Sequence, residues 1–92
     1  MMATDGNTVA GLLRDIFGQE MTFVYGTCIH CGSRSQIGRT MVFRGLGTVL
    51  VCPTCEGRLM VIVDRAGVAC VDAEGLANLE MQRPRPRLLA KI

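Results

Sequence analysis

Cys28-Ile29-His30-Cys31-Gly32 and Cys52-Pro53-Thr54-Cys55-Glu56-Gly57 are the two stretches on which the reading of this chain turns. Each holds a Cys-x-x-Cys pair, and twenty residues separate Cys31 from Cys52. Two intervening residues let one tight turn aim both sulfurs at a single point. A spacer of that length accommodates two short strands, which bring the second turn opposite the first. Gly32 and Gly57 accept unusual backbone angles and let amides point at sulfur, while Pro53 fixes the start of its turn. Four thiolates grouped two and two are what a tetrahedral Zn²⁺ site requires, so Cys28, Cys31, Cys52 and Cys55 are the expected ligands of one ion.

Working outward, the 92 residues make one domain near the lower end of what folds unaided. The chain is 49% hydrophobic but only 4% aromatic, so its core is expected from Val, Leu, Ile and Met. A small core of that kind gains from a staple, and structural zinc supplies about 10–16 kcal/mol in model fingers. The first residues lack the basic-then-apolar order of a secretory signal, and no apolar run approaches a bilayer span. A cytoplasmic protein with reduced thiols and no membrane attachment is therefore expected, where such pairs bind metal more often than they cross-link.

The formal charge of +2 hides an asymmetry. Residues 1–80 hold six Arg against eight acids, a net of −2, whereas residues 81–92 hold Arg83, Arg85, Arg87 and Lys91 with no acidic side chain. An acidic body with a basic end is not the footprint of a strongly basic nucleic-acid binder.

Toward the N-terminus, Val9, Leu12, Leu13, Ile16 and Phe17 recur at helical spacing, with Asn7 or Thr8 available as cap and Gly18 to end the turn. Strands are expected over 21–27, 36–43, 47–51, 58–64 and 68–71, with a hairpin loop at Arg44-Gly45-Leu46-Gly47 and a turn at Arg65-Ala66-Gly67. Asp72 is placed to cap one or two helical turns over 76–81. The pattern predicts a small zinc-stabilised α+β domain over residues 1–82, a zinc ribbon of antiparallel β-strands with an N-terminal amphipathic helix at about 7–17. Residues 83–92 form an Arg/Pro tail expected to be extended and mobile.

Asp5-Gly6-Asn7, Ala10-Gly11-Leu12-Leu13, Phe17-Gly18 and Glu20-Met21-Thr22 ahead of the first cysteine pair, with Gly47-Thr48-Val49-Leu50 ahead of the second, resemble a small family of actinobacterial zinc-ribbon proteins. That family is known as a domain of unknown function. The resemblance runs through most of residues 5–80 and implies the same four-cysteine zinc site and no activity.

Other chemistry is hard to assemble. Rubredoxin-like iron sites share the paired turns but surround the metal with aromatic side chains, which are scarce here. Four cysteinates would close the coordination sphere, leaving no position for a catalytic water. His30, the one histidine, is expected to point outward, and Cys70, among Val68, Ala69 and Val71, is expected to pack as a small buried hydrophobe. No enzyme is expected.

Arg34, Arg39 and Arg44 fall between the cysteine pairs in a segment, 32–51, without any acid. They could contact carboxylates on a protein or phosphates on nucleic acid, and a solvated hairpin would look the same. Leu59 to Val63 is apolar on both strand faces, and burial of both calls for either the N-terminal helix on one side or another subunit. The expected role is a protein-interaction module, with a nucleic-acid-associated ribbon as the alternative and a homodimer compatible with either.

Overall fold

The computed structural model describes residues 4–81. Eight strands and one α-helix form a small α+β unit whose strands are all antiparallel. In chain order these are β1 (Thr4–Asp5), α1 (Ala10–Phe17), β2 (Tyr25–Cys28), β3 (Arg34–Gln36), β4 (Met41–Arg44), β5 (Thr48–Val51), β6 (Arg58–Arg65), β7 (Val68–Asp72) and β8 (Leu76–Glu80). They build two sheets, one ordered β1-β4-β5-β6-β7 and one ordered β3-β2-β8.

The helix is shorter than the apolar stripe suggests. Gly6–Val9 forms a 3-10 turn, and it is the Asp5 carboxylate, not Asn7 or Thr8, that caps this turn by accepting from the Asn7 amide at 3.1 Å. Gly18 does end α1, with φ of +75° and its N–H donating to the Arg14 carbonyl. The stripe buries Val9 and Leu13, with Leu12, Ile16 and Phe17 packed beside them.

One face of the five-stranded sheet receives this helix. Leu50, Met60 and Ile62 join Val9, Leu13, Met21, Val24, Ile37 and Val42 in the core. The register shows why: Val42 pairs with Leu50 and Leu50 with Met60, so these side chains share a face. The alternate residues Met41, Phe43, Val49, Val61 and Val63 point to the opposite face and are only half-buried. Leu59 breaks the alternation. The pairing shifts there, Leu50 facing Met60 and Val51 facing Arg58, and the extra residue turns inward toward the cysteines.

Three expectations need correction. The segment 76–81 is not helical, because Leu76–Glu80 forms β8 against β2. Asp72 instead closes a turn by accepting from the Glu74 amide at 3.0 Å. The expected strand over 21–27 starts only at Tyr25, because the carbonyls of Thr22 and Val24 accept from Gly38 and Ile37, outside any ladder. The strand expected over 36–43 is divided by a 3-10 turn at Ile37–Arg39, and only Met41–Arg44 joins the larger sheet. The Arg/Pro tail at 83–92 lies outside the described residues.

Candidate metal centre

Each cysteine turn is built from the same backbone bonds. In the first, Cys28 N donates to Ser33 O and Gly32 N to Cys28 O; in the second, Cys52 N donates to Gly57 O and Glu56 N to Cys52 O. The fourth residue after the leading cysteine has positive φ in both, Gly32 at +76° and Glu56 at +65°. Glycine takes that angle freely, and glutamate does so only against a steric cost of about 1–2 kcal/mol. The two turns are thus close copies, folded by local hydrogen bonding and brought together by the strands that carry them.

They bring Cys28, Cys31, Cys52 and Cys55 to one point, with all four sulfurs within 4.8 Å of one another. Cys28 Sγ lies 3.6 Å from Cys55 Sγ, and Cys31 Sγ lies 3.7 Å from Cys52 Sγ. A disulfide would need about 2.05 Å. Four sulfurs about 2.3 Å from a central ion would stand about 3.8 Å apart along each tetrahedral edge, so the spacing fits a metal ion and the donor chemistry suits one that prefers thiolate. Cys28 and Cys52 are buried against Leu59 and Leu76, whereas Cys31 and Cys55 face solvent.

The surroundings favour thiolate at Cys31 and Cys52 and oppose it at Cys55. His30, Thr54 and Gly57 amides donate to Cys28, Cys52 and Cys55 sulfurs, each at 3.4 Å. Ser33 Oγ sits 3.4 Å from Cys31 Sγ and 3.5 Å from Cys52 Sγ, one hydroxyl between the two turns. Burial pushes the Cys52 thiol up, but the Ser33 hydroxyl, the Cys55 and Thr54 amides and Cys31 outweigh it and bring it to about 6. Cys31 is likewise lowered, by the Ser33 hydroxyl and amide. At Cys55 the Gly57 amide lowers the thiol, yet partial desolvation and the three neighbouring sulfurs prevail and push it up to about 12. One thiol of the cluster ionises readily and another resists, as expected of ionisable groups that share a small volume.

The remaining candidates are placed as follows. His30 is exposed and its ring lies against Gly57, where an added Cβ would come within 2.5 Å of Cδ2. Cys70 is also exposed, which corrects the expectation of a buried thiol: all five residues of β7 are exposed because nothing covers that edge among the described residues. The arginines do not sit on one hairpin. Arg34 lies on the smaller sheet, its guanidinium 3.8 Å above the Tyr25 ring and bonded to Glu80 at 2.7 and 2.9 Å. Arg44 lies on the larger sheet and donates to the Thr8 carbonyl at 3.3 Å. Arg39 is exposed beside Asp5, Asn7 and Gln36.

Ser33 is the contributor that sequence reasoning passed over. Its only signal is position, two residues beyond the second cysteine of its pair. Among the described residues, no helix is long and apolar enough to cross a membrane.

No curated protein and no solved structure matches the chain. One family does match, a family of unknown function designated DUF6510, over residues 1–84. With the match covering nearly the whole sequence, the chain belongs to DUF6510, and the four-cysteine cluster lies inside the matched region.

Proposed function

We propose that the chain is a non-enzymatic zinc ribbon in which Cys28, Cys31, Cys52 and Cys55 hold one structural Zn²⁺, and that it serves as an interaction module for a protein partner in the cytoplasm. Zinc is favoured over iron because, among the described residues, the side chains packed beside the sulfurs are Leu59, Leu76 and Ser33 and not an aromatic enclosure. A set of four cysteinates is closed and leaves no ligand position for substrate, which favours a structural ion over a catalytic one.

One observation carries the interaction reading. Met41, Phe43, Val49, Val61 and Val63 line the sheet face opposite α1 and are absent from the core cluster. A half-buried apolar sheet face that lies outside the core suits docking of a partner. The phosphate-binding alternative has less support, since Arg34 and Arg44 are engaged within the chain.

The test is capture of partners by the tagged, zinc-loaded chain from native lysate, with and without nuclease, alongside Phe43→Lys. Capture of a defined protein that survives nuclease and is lost in Phe43→Lys, at unchanged zinc content and circular dichroism, is the expected result. Recovery that disappears with nuclease and falls steeply with salt would refute the reading in favour of nucleic acid.

A further inference from the structure

The larger sheet ends in two unequal edges. β1 is two residues long, whereas β7 presents five residues, Val68-Ala69-Cys70-Val71-Asp72, every one exposed. Natural edge strands are protected by shortness, charged side chains, proline or a bulge, and of these β7 has only Asp72 at its end.

Its free hydrogen-bonding groups can be assigned. Ala66 and Gly67 both have positive φ, +52° and +83°, so they form a two-residue type I′ turn between Arg65 and Val68. That turn makes Arg65–Val68 a bonded pair, and the alternation makes Val63–Cys70 and Val61–Asp72 bonded pairs as well. Ala69 and Val71 therefore direct their N–H and C=O groups away from β6, to the open edge.

We propose that this edge pairs with β7 of a second copy of the chain, antiparallel and with the two-fold axis at Cys70. In that register Ala69 N–H donates to Val71 of the second copy and receives the reciprocal bond, twice over, giving four ladder bonds. The two Cys70 residues face each other as a non-bonded pair, Cα atoms about 4.5 Å apart. Charge selects the same register. Arg65, Val68 and Asp72 share the face opposite α1, and the axis puts the second copy's Asp72 opposite Val68. The Arg65 backbone then stands two strands, about 10 Å, from that of the second copy's Asp72, a gap that the long arginine side chain spans toward the carboxylate. Among the described residues neither Arg65 nor Asp72 has an ion-pair partner of its own. The product is one ten-stranded sheet in which the two apolar outer faces become continuous, so the inference goes beyond the single-chain reading above.

The experiment is sedimentation equilibrium of the full zinc-loaded chain across micromolar to millimolar concentration, with zinc content and circular dichroism as folding controls. The wild type and Cys70→Ala are expected to reach twice the 10.0 kDa chain mass. Cys70→Lys, which sets two ammonium groups against each other, and Ala69→Pro, which removes an outward amide only, are expected to stay monomeric while folded. Arg65→Glu is expected to weaken association about two- to tenfold, since at each of the two symmetric sites it sets a like charge two strands from the other copy's Asp72. A folded wild type that remains monomeric throughout, or a dimer that persists in both Cys70→Lys and Ala69→Pro, overturns the proposal. So does a monomer that dimerises only after residues 83–92 are deleted, which would assign the edge to the chain's own C-terminal segment. A monomer whose partner capture is still lost in Phe43→Lys removes the second copy and leaves the interaction reading standing.

Discussion

The backbone angles at Gly32 and Glu56 are the finest detail on which the cysteine turns depend. Both residues occupy the same place in matching turns, and both take positive φ. Gly32→Ala is therefore expected to destabilise the zinc-loaded chain by about 1 kcal/mol, whereas Glu56→Gly should leave it unchanged or stabilise it by up to about 1 kcal/mol. Paired thermal melts check this, and equal losses in both variants would contradict the strain argument. Ser33 acts at the same scale through its hydroxyl, set between Cys31 and Cys52. Groups that hydrogen-bond metal ligands typically contribute 10–100-fold in affinity. Ser33→Ala is expected to weaken zinc binding about tenfold in a chelator competition, with the fold intact in excess zinc.

At the scale of the element, β8 matters most and was least legible. Leu76 and Leu79 stand three residues apart, which reads as a helical turn. A bulge produces that spacing: Cys28 pairs with Leu76, Thr27 with Asn78 and Gly26 with Leu79, so Ala77 is the extra residue and both leucines face inward. Gly26 makes room for them, since a Cβ there would meet Leu76 Cδ2 at 2.9 Å. Gly75 seats β8 beside the metal centre: its carbonyl accepts from Ile29, and an added Cβ would lie 1.8 Å from the Arg58 carbonyl oxygen. Backbone cannot step aside as a side chain does, so Gly75→Ala is expected to cost about 1–3 kcal/mol or more and lower the melting temperature of the zinc-loaded protein. An unchanged melt would show that β8 is not fixed there. The cysteine pairs, by contrast, were readable because their chemistry depends on local spacing alone. The helix stripe was readable for the same reason. Cys70 was misread because a Val-rich strand looks alike at the centre of a sheet and at its edge, and only long-range pairing distinguishes them.

For the whole molecule, the two sheets share a core, and the cysteine cluster sits where they meet. Leu76 packs against both the main cluster and the Cys28-Cys52-Leu59 cluster, linking the candidate metal site to the hydrophobic interior. Cys28 and Cys55 lie on opposite sides of the β3–β5 excursion, so an ion bridging them would close a loop of the chain as well as neutralise thiolates. Loss of the ion would then leave four thiols converging on one point, with one already prone to ionise near neutral pH and another held up to about 12. If the cluster holds a structural ion as proposed, folding and metal binding should be one transition, as they are in small zinc domains.

The measurement closest to that claim is metal content and folding on the same sample. Native mass spectrometry of the purified chain should show one Zn²⁺ bound in exchange for protons lost from the cysteines, and a strong chelator should abolish cooperative thermal unfolding followed by circular dichroism. Cys28→Ser is expected to reproduce the chelated state without added reagent. A metal-free chain that unfolds cooperatively, with a melt unmoved by chelator and by Cys28→Ser, would contradict the account.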